Sequence, residues 1–568
     1  MKTEMKNTIK LALLAFSMLL SWSCTDLEEK ILDESLSGGA LESDLVQGAV
    51  APAYGMLPEF YRHTRYFAVQ EISADEAILP YRGGRDWGDN GIYIELHQHT
   101  YTPVHSNVRQ CWDYLTVMIS RTVLAINVLT PLAETDAEAR VFLAEVKGLR
   151  AFYNMIVLDL WGIAFQKDEA GELSTILRGN DAVEYIRTEF ESVIDDLRTD
   201  VGPGRLTKGG AWALLARLHL NAAVWRDPYS TNFDFTTADM DKVIEYANLV
   251  INSGQYELSP EYFAVFDNDN HTNSELVFAV DQRPDLNGHN RMSYFSMSDN
   301  FYGNPLYPQA NGTDGAAITS DFYQSWVQAY GDVDPAEADA RFFWEAMVVP
   351  EDSCIAAEDF EVNRGIYRGL QFGLQNNGRR LPFIMCDDGR YKIGKLRDWR
   401  RAEANAYVDF EEEINFTPEG SDYNTGFRVE KYQWSKSSDD GRNKGEADLV
   451  IVRLADLYMM RAEAKLRKGD APGALADVNL VRASRTARPD VTPPPLTEMT
   501  EDILFRERGF EFYWEHQRRT DMIRFGKYED TWTEKTNSDV QRRLFPIPQA
   551  AIDGASDTPG YLVQNPSY

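Results

Sequence analysis

Cysteine is scarce in this chain: Cys24, Cys111, Cys354 and Cys386 are the four among 568 residues. So few exclude a disulfide framework as the source of the fold. Cys354 and Cys386 are free to pair in an oxidising compartment, and the sequence does not decide it. Cys111, next to Trp112 on an apolar helical face, reads as a buried thiol. Positive charge is also short, with 57 Lys and Arg against 89 Asp and Glu and a net charge of −32. Such a chain is repelled by phosphate backbones and anionic lipid surfaces, which argues against a nucleic-acid partner. No CxxC, HExxH or GxxxxGK[ST] run occurs, so the common redox, zinc-hydrolase and nucleotide signatures are missing. Beyond the first residues there is no long uninterrupted apolar run of the kind that spans a bilayer.

The first residues are the exception. Lys2, Lys6 and Lys10 precede the apolar run LALLAFSMLL (11–20), and Ser21-Trp22-Ser23 leads into Cys24. This order predicts a secretory signal over 1–23. It also predicts lipidation at Cys24 and an acidic tether over 24–40, although Ser21 stands where strict lipoprotein signals carry Leu. The mature protein is therefore expected to be anchored at a membrane without spanning it.

Aromatic residues make up 12% of the chain. Many belong to helices. Phe142, Val146, Leu149, Tyr153, Ile156 and Leu160 recur at spacings of four and three, which puts them on one helical face between Asp136 and Gly162. Trp112, Leu115, Ile119, Val123 and Ile126 repeat the pattern, with Ser106 as the expected N-cap. Val183, Ile186, Phe190, Ile194 and Leu197 make a third stripe, and 207–225 with 238–252 a helix pair. Further on, 449–468 reads as one helix and 471–485 as the next, with Gly469 and Asp470 between them and Ala462, Ala464, Ala474 and Ala476 at close-contact positions. Such hairpins are of the tetratricopeptide type, whose stacked pairs share a core. Residues 255–447 differ. They are rich in Gly, Asn, Asp, Pro and aromatics, with short strands expected at 275–281 and 427–433. Residues 66–105 have the same irregular character, and such excursions on a helical scaffold commonly carry function.

Five segments, taken in order, resemble one family. They are KGLRAFYNMIVLDLWG (147–162), KGGAWALLARLHLNAA (208–223), the hairpin 453–483, EDILFRERGFEFYWEHQRRTDMIRFGKY (501–528), and LFPIPQAAID (544–553) with LVQNPSY (562–568). Together they resemble the SusD/RagB nutrient-binding outer-membrane lipoproteins of Bacteroidetes. Gly509 and Arg519-Thr520 depart from the family's usual pattern, in what reads as scaffold. The resemblance implies a mostly α fold, a tetratricopeptide-like helical-pair scaffold with a large irregular, loop-rich ligand-binding region. Its parts are the helical region 41–254 with ligand loop 66–105, the aromatic-rich region 255–447, and the helical region 448–568 with the C-terminal signature. It also implies a lipid-anchored, surface-facing place at the outer membrane, an oligosaccharide ligand, and a SusC-like TonB-dependent transporter as partner.

In the loop 71–103, Trp87 and Asn90 match the motif in which a ring stacks on a sugar and an amide bonds its hydroxyls, with Asp75, Tyr81 and Arg82 as partners from the same loop. Between Arg291 and Trp326, residues Tyr294, Phe301, Tyr302, Tyr307 and Trp326 together offer an aromatic arc, while each taken singly reads as core or loop filler rather than as a ligand contact. His97, His99 and His105 lie close together, but no carboxylate or cysteine pattern completes a metal site, and structural roles are expected. Asp267, Asp269 and Glu275 offer oxygens of the sort a structural calcium takes, without the EF-hand spacing; no other cofactor is expected. Arg506, Glu507, Glu511 and Arg518 read as charges that pin a helix to its neighbours. The reading is of a binder, not an enzyme. A peptide-binding RagB-like uptake protein is the nearer alternative. A surface glycoside hydrolase with carboxylates about 5–9.5 Å apart, or a repeat adaptor for protein partners, is more distant.

Overall fold

The computed structural model describes residues 39–84, 91–167, 171–283, 290–301, 311–346, 353–378, 382–399, 401, 406–435 and 445–568, with side chains from Leu45 onward. Of its two units, Met1–Gln47 contributes helical residues 39–47, and Gly48–Tyr568 holds the remainder.

Five helices follow one another in the first half: α1 (Ser106–Leu132), α2 (Ala137–Trp161), α3 (Gly179–Val193), α4 (Lys208–Arg226) and α5 (Thr237–Ile251). Each packs on its successor. The α2 stripe from Phe142 to Leu160 is buried, as its spacing requires. Asp136 accepts from the N–H groups of Glu138 (2.7 Å) and Ala139 (3.3 Å) and so caps α2. Gly162 ends it at φ 69°, a left-handed conformation that costs a glycine little. Thr207 and Thr236 cap α4 and α5 in the same way. The expected cap on α1 is one residue off. His105 precedes the helix and Ser106 is its first residue, with its hydroxyl turned to Asn107 Oδ1 at 3.2 Å.

The scaffold resumes late in the chain with α6 (Leu454–Arg467), α7 (Ala471–Ser484) and α8 (Glu501–Phe512). Asp470 caps α7 through Gly473 N, with Pro472 in the first turn. Ala462, Ala464 and Ala474 are buried at the contact between α6 and α7, whereas Ala476 faces outward. Helix α6 packs on α7 and also on α5 and α4, so the late hairpin continues the early stack. The fold is a TPR-like helical stack interrupted by one long excursion.

The helix expected over 449–468 begins late. Leu449–Arg453 is a strand, antiparallel to Leu276–Val280, from Leu449 opposite Val280 to Arg453 opposite Leu276. Val450, Ile451 and Val452 are β-branched, stiff at χ1 and better suited to a buried ladder than to a helix start. This ladder is the neck of the excursion. Asn270 fastens it, donating to Asp448 O (2.9 Å) and accepting from Asp448 N (2.8 Å).

Four short strands of the excursion and one from the N-terminal part, Ala77–Ile78, form one antiparallel sheet in the order Ala77–Ile78, Ala317–Ile318, Arg428–Glu430, Arg364–Tyr367, Phe343–Trp344. A second sheet runs Phe372–Leu374, Tyr391–Lys395, Cys354–Ile355. The disulfide Cys354–Cys386 closes beside it, with 6.4 Å between Cα atoms, and Cys111 is free and buried.

The excursion is joined to the helices by buried charge. Arg341, Lys431, Arg453, Arg482 and Arg485 meet Glu275, Asp339, Glu507, Glu511 and Glu515, all of them 3% exposed or less. The chain of pairs is continuous: Asp339–Arg341 (2.7 Å), Arg341–Glu507 (3.0 Å) and –Glu511 (3.1 Å), Arg482–Glu507 (2.6 Å), Arg485–Glu511 and –Glu275 (both 2.7 Å), Arg453–Glu275 (2.7 Å) and –Glu515 (2.8 Å), and Lys431–Glu515 (2.6 Å). Charges buried this deeply persist only when paired and hydrogen-bonded, and here the two signs balance. Two of the residues whose charges read as pins from sequence, Glu507 and Glu511, are its centre. Gly509, midway between them in sequence, lets Arg518 approach: a Cβ there would lie 2.6 Å from Arg518 Nη1.

Candidate functional site

The two irregular segments singled out by sequence lie against each other. Ala77 and Ile78 pair with Ile318 and Ala317. Arg82 reaches across to the carbonyl oxygens of Asp314 and Gly315, the latter at 2.6 Å. Asp314 Oδ1 in turn accepts from Asp299 N (3.1 Å) and the Tyr423 hydroxyl (2.5 Å), and Tyr423 shares a hydrogen bond with Ser298 Oγ (2.5 Å). Asn300 donates to Ser298 Oγ (3.2 Å) and Asp398 Oδ1 (3.3 Å) and accepts from Trp399 N (3.3 Å). On the outer side, Tyr81 N donates to Asn415 O (2.9 Å) and Gly83 N to Ser421 Oγ (2.9 Å). Burial beside Asp299 pushes the Asp314 carboxyl up to about 6. A polar lattice therefore holds residues 81–84, 298–301, 311–315, 398–399 and 415–423 as one surface.

Several expected ligand contacts are instead the frame of this surface. Arg82 is fully buried under the carbonyls it bonds. Asp75 is held by Nε and Nη2 of the Arg518 guanidinium, at 2.6 and 2.8 Å. Tyr294 is fully buried. Trp326 lies in helix Ser320–Tyr330, its ring stacked 3.6 Å from that of Phe510 in α8. Arg82, Asp75 and Trp326 are each engaged by a segment distant in sequence, and Tyr294 is part of the buried interior. Tyr81 is half-buried at the rim. Trp87, Asn90, Tyr302 and Tyr307 lie outside the described residues.

Phe301 lines an open cleft of about 820 Å³, solvent included, with Phe343, Tyr367, Phe372, Arg368 and Gln371 also on its walls. A further space of about 510 Å³ sits among α2, α4, α6 and the helix Arg518–Arg524. Its charges are satisfied internally, Arg217 by Asp456 at 2.5 Å and Arg508 and Arg524 by Asp521 at 2.7 and 2.6 Å. It belongs to the scaffold. The signal missed in the sequence is the run Lys395 to Trp399, where cations alternate with an aromatic at a strand period of two.

The residues considered for metals have other tasks. His97, His99 and His105 each meet a carbonyl oxygen through Nε2, of Thr533 (2.7 Å), Ser73 (2.8 Å) and Ile92 (2.9 Å). Burial lowers all three, His97 to about 4, so they stay neutral donors. His97 ends a helix and His99 sits at φ 56°, so the two do not share a strand face. Asp267 pairs with Arg364 (2.8 Å) and Glu275 with Arg453 and Arg485 (both 2.7 Å), so guanidinium groups engage two of the three residues considered for calcium. Among the described residues, the group near enough to share an ion is Cys354, Cys386 and Asp388, whose two sulfurs form the disulfide.

Residues 274–568, more than half of the chain, match the model of the SusD family. The starch-binding protein SusD of Bacteroides thetaiotaomicron is 27% identical over 485 residues, covering 83% of this chain and 78% of that protein. Among solved structures, surface glycan-binding protein A of Bacteroides thetaiotaomicron, in complex with laminarihexaose, superposes with a TM-score of 0.63 at 21% identity over 92% of this chain and 99% of that one. A SusD superfamily protein from Parabacteroides distasonis reaches 0.65 at 16% identity, over 93% and 99%. The helical stack and its interrupting excursion are thus a shared architecture, and the chain belongs to the SusD family.

Proposed function

We propose that this chain is a cell-surface lipoprotein that captures an oligosaccharide without transforming it and passes it to a SusC-like TonB-dependent transporter. The observation that carries the reading is the surface built from residues 81–84, 298–301, 311–315 and 415–423, welded by Arg82 and Asp314, on a fold shared with a starch-binding and a laminarihexaose-bound relative. Capture requires a preformed surface and a release route, and the lattice under that surface supplies rigidity before the ligand arrives. Trp87 and Asn90 follow directly on that frame in sequence and supply a stacking face and an amide for hydroxyls. Cys24 supplies the lipid anchor at the outer membrane.

The test is affinity electrophoresis and calorimetry of the chain against plant, microbial and host polysaccharides, with product analysis on the same samples. Binding without degradation is expected. Trp87→Ala is expected to weaken binding about tenfold or more, the loss of one stacked ring, with an unchanged melting curve. Released products would replace capture by hydrolysis. Binding of peptides in place of saccharides would move the ligand class.

A further inference from the structure

Six cations and one carboxylate fall between Arg390 and Arg401, in a chain whose net charge is −32. The segment leaves strand Tyr391–Lys395 and continues extended, with Arg397 bridged antiparallel to Tyr407. Asp398 N donates to Ala406 O and Val408 N to Leu396 O, each at 2.9 Å. The pairing sorts the side chains. Leu396, Asp398, Ala406 and Val408 are buried, while Lys395, Arg397, Trp399 and Tyr407 stay partly exposed. Two cations and two aromatic rings thus share one outward face, the period-two consequence of an extended chain.

The face is stiff. The Trp399 indole N–H donates to Asn376 Oδ1 at 2.6 Å and its backbone N–H to Asn300 Oδ1 at 3.3 Å. The Arg397 guanidinium lies over the indole, 4.1 Å from its centroid, and Lys395 Nζ is 5.8 Å from the Tyr407 ring. Through Asn300, Ser298, Tyr423 and Asp314 the face is tied to Arg82, and so to the surface described above. Its neighbours neutralise their charge: Arg390 on Asp388 (2.8 Å), and Arg401 on Asp422 (2.6 Å) and Asp398 (3.4 Å). Arg397 makes no ion pair among the described residues, and its buried Nε has no hydrogen-bond partner there. An oriented guanidinium on a fixed ring, without a carboxylate partner among the described residues, is matched by an anion carried on a flat apolar surface.

We propose that the Lys395–Arg397–Trp399–Tyr407 face binds the charged unit of an acidic saccharide, a sugar ring bearing a carboxylate or a sulfate. The ring's C–H face stacks on the aromatics, and the anion meets Arg397 with Lys395 alongside. This rests on the reading of the protein as a saccharide binder and adds the charge of the ligand to it.

Calorimetry of the full chain against laminarin, sulfated laminarin, oligogalacturonate and poly-glutamate tests it. A charged saccharide is expected to bind at least about tenfold more tightly than the neutral one at low salt, with the gap closing as salt is added. The sulfated and carboxylated arms tell which anion is preferred. Arg397→Gln should close most of the gap between charged and neutral saccharide with the melting curve unchanged, and Arg397→Lys should restore part of it. Equal affinity for charged and neutral saccharides, or a gap that survives Arg397→Gln, overturns the inference while saccharide capture stands. Poly-glutamate binding as tightly as oligogalacturonate overturns the saccharide half of it, and failure to bind any saccharide removes the reading beneath it as well.

Discussion

Glu511 accepts from Arg341, Arg453 and Arg485 at once, and these three guanidinium groups hold its carboxyl well below the usual range against the cost of burial. Glu511→Gln leaves them short of one negative charge in a dry site. The expected loss is about 3–5 kcal/mol, the penalty for breaking a buried pair from one side, read from denaturant unfolding curves. Asp448 has the opposite balance. Burial pushes its carboxyl from 3.8 up to about 7, against a lowering hydrogen bond from Gln282 N (2.8 Å). A raised folded-state value means that its contribution is fully present below the ordinary carboxylate range and is lost as pH rises through about 7. Asp448→Asn should therefore match the parent in acid and exceed it in melting temperature at about pH 8. Single residues were the least legible scale in the sequence. Tyr294 and Trp326, each of which taken singly reads as core or loop filler, are indeed buried, but nothing local announces that Trp326 stacks on Phe510 from a helix far along the chain. Arg82 reads as a ligand contact because its two carbonyl partners lie beyond the reach of any local pattern.

Elements were more legible where one period governs them. The α2 stripe, its Asp136 cap and its Gly162 stop all follow from local rules, and the structure repeats them. The strand Leu449–Arg453 escaped because a short apolar run fits a buried helix and a buried strand equally well; only its partner Leu276–Val280 decides. The disulfide is the testable element in the excursion. It closes a separation of 32 residues, and loss of such a loop closure costs about 3–4 kcal/mol on the chain-entropy account. Cys354→Ser with Cys386→Ser is expected to raise hydrogen exchange in Tyr391–Lys395 and Phe372–Leu374, with α2 and α4 unchanged. Uniform acceleration in the helices would contradict that placement.

At the scale of the whole molecule, α5 and α6 pack together although the excursion separates them in sequence, and the ladder between Leu276–Val280 and Leu449–Arg453 closes the gap. The helical stack, with its repeating stripes, was legible from sequence; that it is one stack cut in two was not, since nothing local in α5 announces α6. A length of chain that departs and returns through a two-strand gate is a cassette. Evolution can exchange what lies between Asp281 and Asp448 for another specificity while the helices keep their register. The ion network sets the terms of that exchange. Arg341 and Lys431 belong to the cassette, and Glu507, Glu511 and Glu515 to the frame. A chimera that receives a relative's cassette should fold only if the graft brings cations to those two stations. Thermal melts of paired chimeras, with and without Arg341 and Lys431 restored, would show whether the seam is electrostatic; equal stability of both would place it elsewhere.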